Sequence, residues 1–527
     1  INRGKLCMRG QAALQGEYNP DRIKTPMVKD GNSWRPITYP EAEKLLQQKT
    51  EKAAGAGKGR IRMATEVVGE TLLKLFSESL GQWGSKGLLV FEPFAYESLK
   101  AANDIVFGVK GLPSYHLDEA DVLIAFGADF LETWLSPVEY ARKFKAMHAL
   151  RDGGKGRFFH IGSYQSLTCA NADTWLACRP GSEAAFALGL MNEALHLGRH
   201  AGLPRTLRHE LENAAAPFSK EKVAQMTGIS VYQFEKVAQT LTRSEKPLIL
   251  GTGIATGPNT LQTDITVNYL NLILDPDLRL FDFESRHRVE IAGSRSEAVQ
   301  FFNALEDDAV DLLLLNNVNP VYAMPPGSEV RRILEKESLF IVSFSNFMDE
   351  TTQLADLILP VRLPLETWDE YGGKSGLVST LQPAMGRLTE APYIGDLFLN
   401  AAFDKRSRSE HYKRYLVSGL ISKKRIKDEV GWVQTLQRGG IFNKTESKAK
   451  KGKKETWEVR TSADNNLRMN QVAPVTSGIT LLAVPSIRLF DGRGANRSWL
   501  CEVPDPLSRV AWQTPVLAHP ETLKTKG

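Results

Sequence analysis

Short, nearly unbroken apolar runs recur along the chain, each closed off by turn residues. They are 121–126 (DVLIAF), 157–161 (RFFHI), 247–250 (PLIL), 310–315 (VDLLLL), 339–343 (LFIVS) and 357–359. A strand covered on both faces reads this way, because neither side of the pleat meets water. Longer amphipathic stretches lie between them, and their spacing predicts helices over 70–80, 137–150, 183–197, 220–244 and 328–336. Strands alternating with helices predict βαβ units, parallel sheets and an α/β fold.

Length and composition narrow this picture only a little. A chain of 527 residues holds roughly three or four domains. Its 42% hydrophobic and 24% charged residues are ordinary for a globular protein. A formal charge of +5 over this length argues against a nucleic-acid partner, which would demand clustered basic residues. No uncharged apolar run reaches the ~18 residues of a spanning helix, so membrane contact is expected to be indirect. Segment 444–454 (KTESKAKKGKK) is lysine-rich and reads as a solvated loop, or as a docking patch for an acidic partner. The opening INRGKLCMRG lacks an initiator Met and a signal peptide, and further segments are expected outside the chain.

The four cysteines, Cys7, Cys169, Cys178 and Cys501, are far apart. Neither a disulfide framework nor a self-contained zinc or iron–sulfur site follows from them. Two stretches imitate phosphate loops. In GAGKG (55–59) Gly follows the Lys, and before Gly373-Lys374-Ser375 the first glycine is replaced by Trp368. Gly251, Gly253 and Gly257 do follow a strand and open a helix, where N–H groups could meet a phosphate. Their spacing is not GxGxxG, and tight strand-to-helix turns use glycine without any ligand. His196 and His200 share a helical spacing, but no HExxH accompanies them. No GxSxG elbow supports a serine hydrolase.

A longer series of blocks is more specific. Gly4-Lys5-Leu6-Cys7-Met8-Arg9-Gly10 is followed by Pro20-Asp21-Arg22-Ile23-Lys24-Thr25-Pro26. Phe126-Gly127-Ala128-Asp129 ends a strand, the edge at which open parallel sheets bind ligands. Then come 158–185 (FFHIGSYQSLTCANADTWLACRPGSEAA), Asn316-Asn317-Val318-Asn319-Pro320, and Asp349-Glu350-Thr351 with Ala355-Asp356-Leu357-Ile358-Leu359-Pro360 and Glu366. Last is Asp491-Gly492-Arg493-Gly494-Ala495-Asn496 with Trp499-Leu500 and Pro504-Asp505-Pro506. In this order the blocks resemble the molybdopterin oxidoreductase family across nearly the full chain. The last block is most similar to the molybdopterin-like subunits of the quinone reductase complex (Qrc) of sulfate reducers and of alternative complex III.

The resemblance implies a multidomain architecture of parallel sheets flanked by helices. It divides the chain into 1–37, the remnant of an iron–sulfur domain; 38–165, a first α/β domain completed by 340–505; 166–339, a second, Rossmann-like domain; and 506–527, the start of a C-terminal barrel. It makes Asp129, Arg179, Gly181, Glu183 and Asn319 vestigial pterin or guanosine positions, and Cys7 a lone match to a cluster ligand. Where the family usually offers molybdenum a Cys, selenocysteine, Ser or Asp, this chain reads Phe91-Glu92-Pro93-Phe94-Ala95-Tyr96-Glu97-Ser98. Neither Phe94 nor Ala95 can bind a metal. Phe94, Tyr96, Phe130 and Trp134 are expected to fill part of the former cofactor space, since proteins do not keep large voids.

The implied function is a non-catalytic scaffold on the periplasmic side of a bacterial inner membrane, with no catalytic residue, metal or cofactor of its own. Its implied partners are an iron–sulfur subunit, a multihaem cytochrome c and a quinone-binding membrane subunit, passing electrons between cytochrome c and menaquinone. Haem c and iron–sulfur clusters would sit in those partners. Two rival readings stand beside it: an active molybdenum–bis-pterin subunit of polysulfide, thiosulfate or formate type with upstream cluster cysteines, and a one-cluster electron carrier without pterin.

Overall fold

A computed structural model of the chain describes residues 2–150, 154–199, 203–254, 257–306, 309–386, 388–403, 411–442 and 479–524. Both His200 and the lysine-rich 444–454 lie outside the described residues. The chain forms two compact units, one of residues 1–19, 116–280 and 461–527, the other of 20–115 and 281–460.

In the first unit, Val122–Phe126 is buried at every position. It is the second-from-edge strand of a four-stranded, wholly parallel sheet. The spatial order is Thr174–Ala177, Arg157–Gly162, Val122–Phe126, Pro247–Leu250. In chain order that is third, second, first, fourth, so the direction of winding reverses between Val122–Phe126 and Pro247–Leu250. The edge strand Pro247–Leu250 is blunted by the helix that follows it, Thr260–Leu274. From that helix Asn271 accepts the Ile249 N–H at 3.0 Å and donates to the Ile249 carbonyl at 2.8 Å. An amide side chain thus imitates a neighbouring strand and leaves no free edge there.

The helix expected over 220–244 is two helices, Lys220–Thr227 and Val231–Arg243. Gly228 adopts φ +81°, which ends the first. Ser230 then caps the second through a reciprocal box with Gln233. The terminal segments belong to this unit too. The Arg9 guanidinium lies 4.0 Å from the Phe490 ring centroid, Asn19 Nδ2 donates to the Asn496 carbonyl at 2.6 Å, and the Trp499 N–H donates to Gln15 at 2.7 Å. The Asp491–Asn496 block is therefore where the N-terminal stretch packs.

The second unit holds a seven-stranded sheet. Its order is Ser33–Pro36, Met27–Asp30, Leu357–Ile358, Phe340–Ser343, Leu312–Asn316, Ile61–Thr65, Gly87–Val90. The last five are parallel; the first two form an antiparallel edge. The central leucine run shows why both faces are covered. Leu312 and Leu314 enter one core with Leu75, Phe76, Val342 and Phe398. Leu313 and Leu315 enter another with Phe301, Phe302, Ile341 and Ile358. The period of two sends alternate leucines to opposite helical layers, and each fully buried leucine contributes roughly 1.5–3 kcal/mol.

The observed division differs from the expected domain boundaries. A break at 165/166 would cut a ladder, since Phe159 pairs with Thr174. A break at 339/340 would part Leu312–Asn316 from Phe340–Ser343, which pair along four residues. Strands 27–30 and 33–36 join the seven-stranded sheet rather than a separate N-terminal domain. Periodicity identifies strands but does not say which distant strand each one pairs with.

Candidate functional site

In an open parallel sheet the crevice for ligands lies at the carboxyl ends of the strands where winding reverses. In the first unit that is the space between the loops after Phe126 and after Leu250. Here the two backbones touch. A Cβ on Gly253 would fall well inside van der Waals contact of the Gly127 carbonyl oxygen. Gly253 thus has a steric reason to be glycine that involves no phosphate. Thr252 is fixed beside it, its N–H and hydroxyl both donating to Asp264, at 2.7 and 2.9 Å. Trp134 is fully buried and its indole N–H donates to the Thr252 carbonyl at 3.2 Å, so an aromatic ring reaches the switch point. Phe130, also fully buried, packs instead between Phe144 and Phe158 as an ordinary core residue.

Asp129 follows at the end of this loop and is only 3% exposed. Its Oδ2 accepts from the Tyr164 hydroxyl at 3.2 Å. Its backbone carbonyl accepts the N–H groups of Glu132, Thr133 and Trp134. Glu132 Oε2 accepts the Leu167 N–H at 3.0 Å. Burial, and then the Asp129 charge, push the Glu132 carboxyl up to about 7. His160, inside the neighbouring strand, is pushed down to about 4 by burial against the pull of Asp129, so it is neutral at pH 7. Burial likewise raises Tyr164, and lifts the Cys169 thiol to about 12. Around Asp129 the shifts all favour neutral groups.

The other predicted positions are also engaged. Arg179 follows strand Thr174–Ala177, and its guanidinium donates to the Gln225 and Met226 carbonyls at 2.6 and 3.3 Å. Those carbonyls end helix Lys220–Thr227, where a cation and donor are both favourable. The Gly181 carbonyl accepts from Asn259 Nδ2 at 3.0 Å. Glu183 opens helix Glu183–His196, accepts from Ser163 at 3.3 Å and is raised by burial above the usual carboxylate range. Asp129, Arg179, Gly181 and Glu183 thus share one sheet edge of the first unit.

Asn319 belongs to the second unit, where winding reverses between Ile61–Thr65 and Leu312–Asn316. Its Nδ2 donates to Glu350 at 2.6 Å, and its Oδ1 accepts from the Thr351 hydroxyl at 2.7 Å. The Asn-Pro turn and the Asp-Glu-Thr block, separate in sequence, are hydrogen-bond partners. Asn316 Nδ2 donates to Thr65 Oγ1 at 2.9 Å and Asn317 Nδ2 to Glu66 at 2.6 Å, linking the two strands at the switch point. After strand Gly87–Val90, Ala95 is buried while Phe94 and Tyr96 are half-buried, and Glu97–Phe107 starts directly behind them. Cys7 stands at the N-cap position of the short helix Met8–Gln11 without a side-chain capping bond, and among the described residues no group of three His, Cys, Asp or Glu is placed to hold a metal ion. Sequence reasoning missed Glu132, Tyr164 and His160. Their only signal was polarity beside an apolar strand, which does not give side-chain direction.

A family model described as molybdopterin oxidoreductase matches residues 22–392, more than half of the sequence. The chain belongs to the molybdopterin oxidoreductase family. A menaquinone reductase, molybdopterin-binding-like subunit of Nitratidesulfovibrio vulgaris is 30% identical over 417 residues, covering 76% of this chain and 59% of the relative. A nitrate reductase of Shewanella frigidimarina is 21% identical, covering 71% and 44%. Among solved structures, the acetylene hydratase from Pelobacter acetylenicus matches with a TM-score of 0.62 at 15% identity, over 76% of this chain and 63% of that one. The chain spans about three-fifths of the length of the Nitratidesulfovibrio relative. The mixed α/β architecture with parallel sheets flanked by helices is that of a molybdopterin enzyme. No helix among the described residues is long and apolar enough to cross a membrane.

A pterin dinucleotide at the predicted positions would need free polar groups. Asp129 is buried and bonded to Tyr164, Arg179 uses one nitrogen, Nη1, on two carbonyls, and Asn319 is bonded to Glu350 and Thr351. As arranged here, Asn319 and the Tyr164-bound Oδ2 of Asp129 do not fit the group, while Asp129 Oδ1 has no hydrogen-bond partner.

Proposed function

We propose that this family member is a non-catalytic scaffold subunit of a membrane-bound respiratory complex that moves electrons between periplasmic cytochrome c and menaquinone. It carries no pterin, molybdenum or cluster, and Asp129, Arg179, Gly181, Glu183 and Asn319 are vestiges of cofactor positions that now bind the chain to itself. The observation that carries this reading is Arg179, whose donors satisfy the end of Lys220–Thr227. Support also comes from the menaquinone reductase subunit of Nitratidesulfovibrio vulgaris, whose name says molybdopterin-binding-like. Phe94 and Ala95 offer no ligand where one is expected. In this reading the chain lies on the periplasmic face, held by an iron–sulfur subunit, a multihaem cytochrome c and a quinone-binding membrane subunit.

Affinity purification of the tagged chain from native membranes tests it. The expected result is co-purification of a haem-staining cytochrome and an integral membrane subunit, with menaquinol-linked cytochrome c activity in the complex. A chain that purifies alone and reduces a small oxyanion or sulfur substrate contradicts it.

A further inference from the structure

Hydrogen bonds alone leave Asp129 incomplete. Its Oδ1 is buried and has no partner, although Oδ2 is held by Tyr164. A buried acceptor without a donor is costly, so such atoms normally mark a missing proton or ligand. The missing donor stands one turn later. The Glu132 N–H lies on the Asp129 carbonyl at 3.0 Å, and the two carboxyl groups are within hydrogen-bond reach of each other. Two carboxylates cannot bond to one another, but a carboxyl and a carboxylate can.

The surroundings leave little alternative. The charges acting on Glu132 are those of Asp129 and of Asp505, from the terminal segment of the same unit, and both are negative. Asp505 stays ionised: its own burial is outweighed by hydrogen bonds from Ser508 and Leu507, which hold it below the usual carboxylate range. The other neighbour of Glu132 is the Leu167 N–H, already bonded to Oε2. Asp129 faces His160 from its strand, Tyr164 from the following loop and Cys169 from helix Leu167–Ala170. His160 and Cys169 are neutral at pH 7, and both charges named on Glu132 are negative.

We propose that Asp129 and Glu132 share one proton, and that this bridge is a pH-sensitive clasp at the carboxyl edge of the four-stranded sheet. With the proton in place, Glu132 joins Asp129 to Leu167, and Asp129 joins Tyr164. Loop 127–134 is thereby tied to loop 163–169. When the proton leaves, two buried negative charges face each other with Asp505 as a third, and the loops separate. The Glu132 carboxyl binds its proton more tightly in the folded chain than in the unfolded one. Its contribution is therefore present at low pH and is lost as pH rises from about 4.5 through about 7. His160 works in the opposite sense between about 4 and 6.5, so only the difference between parent and variant isolates the clasp. The proposal does not depend on the scaffold reading.

Two measurements on the full chain test it. Infrared titration should show the carbonyl stretch of a buried protonated carboxyl at pH 6, fading by pH 8 and absent in Glu132→Gln. The protection of amides across 163–169, taken relative to their intrinsic exchange at each pH, should fall several-fold from pH 6 to pH 8 in the parent. It should stay constant in Glu132→Gln, whose amide donates permanently without charge. If Glu132→Gln does not fold, Asp505→Asn serves: removing a like charge that raises Glu132 should move the infrared midpoint to lower pH. No such band at pH 6, or an exchange profile unchanged in the variants, overturns the proposal. So does a calcium-induced, chelator-reversible stabilisation at pH 8 that requires Glu132, which would make the pair a cation site.

Discussion

The two switch points of this molecule use different chemistry to do the same thing. In the first unit the reversing strands meet backbone to backbone at Gly127 and Gly253, beside carboxyls and an imidazole whose ionisation is strongly shifted. In the second, the strands are joined by neutral amides and hydroxyls, through Asn316 to Thr65 and Asn319 to Thr351, with Glu66 and Glu350 as acceptors for Asn317 and Asn319. At both edges, which in this fold are the places for ligands, polar groups of the chain bond to one another. The difference is that one closure depends on protons and the other does not.

The largest effect should come from breaking the steric closure. Gly253→Ala forces a methyl against the Gly127 carbonyl, which cannot move as a flexible side chain would. A loss of about 3 kcal/mol is expected in urea unfolding followed by a probe in the first unit. Next is the proton-dependent closure. Glu132→Gln should gain stability over the parent as pH rises from 5 to 8, by an amount on the order of 1–2 kcal/mol. Asp369 in the second unit sharpens this comparison. Burial pushes it up to about 7, with the Tyr412 hydroxyl donating to it at 2.7 Å. It too costs stability as pH rises through neutrality, so Asp369→Asn should remove a similar share without altering exchange in 163–169.

Breaking the neutral closure should cost less and show no pH dependence. Asn316→Ala removes the donor to Thr65, and about 1 kcal/mol should be lost equally at pH 5 and pH 8. The smallest effect belongs to Arg179→Ala. Its side chain lies at the surface, so a loss of roughly 0.5–1 kcal/mol is expected in thermal unfolding. A larger loss, or any change in bound pterin, would give Arg179 a role beyond capping a helix.

Much of the fold was legible because a doubly covered strand leaves an apolar run. Val122–Phe126, Pro247–Leu250 and Phe340–Ser343 lie within one residue of where the sequence places them. Strands Gly87–Val90 and Thr174–Ala177 escape the sequence reading: the first is four residues opening on a glycine, and the second exposes alternate residues, so it has no apolar run to see. The helix break at Gly228 was visible as a glycine followed by Ser-x-x-Gln but was overridden by the long amphipathic period. Asp129 was placed at the correct strand end. What it bonds to was not legible, because Tyr164 reaches it from another loop and only the rotamers decide that contact.

The central claim is that both edges are closed by the protein itself and hold no pterin. It is tested most directly by measuring molybdenum, tungsten and released pterin per chain in the complex purified from native membranes. The account predicts metal and pterin far below one per chain while the associated haem and menaquinol activity remain. About one molybdenum or tungsten with two pterins per chain would contradict it.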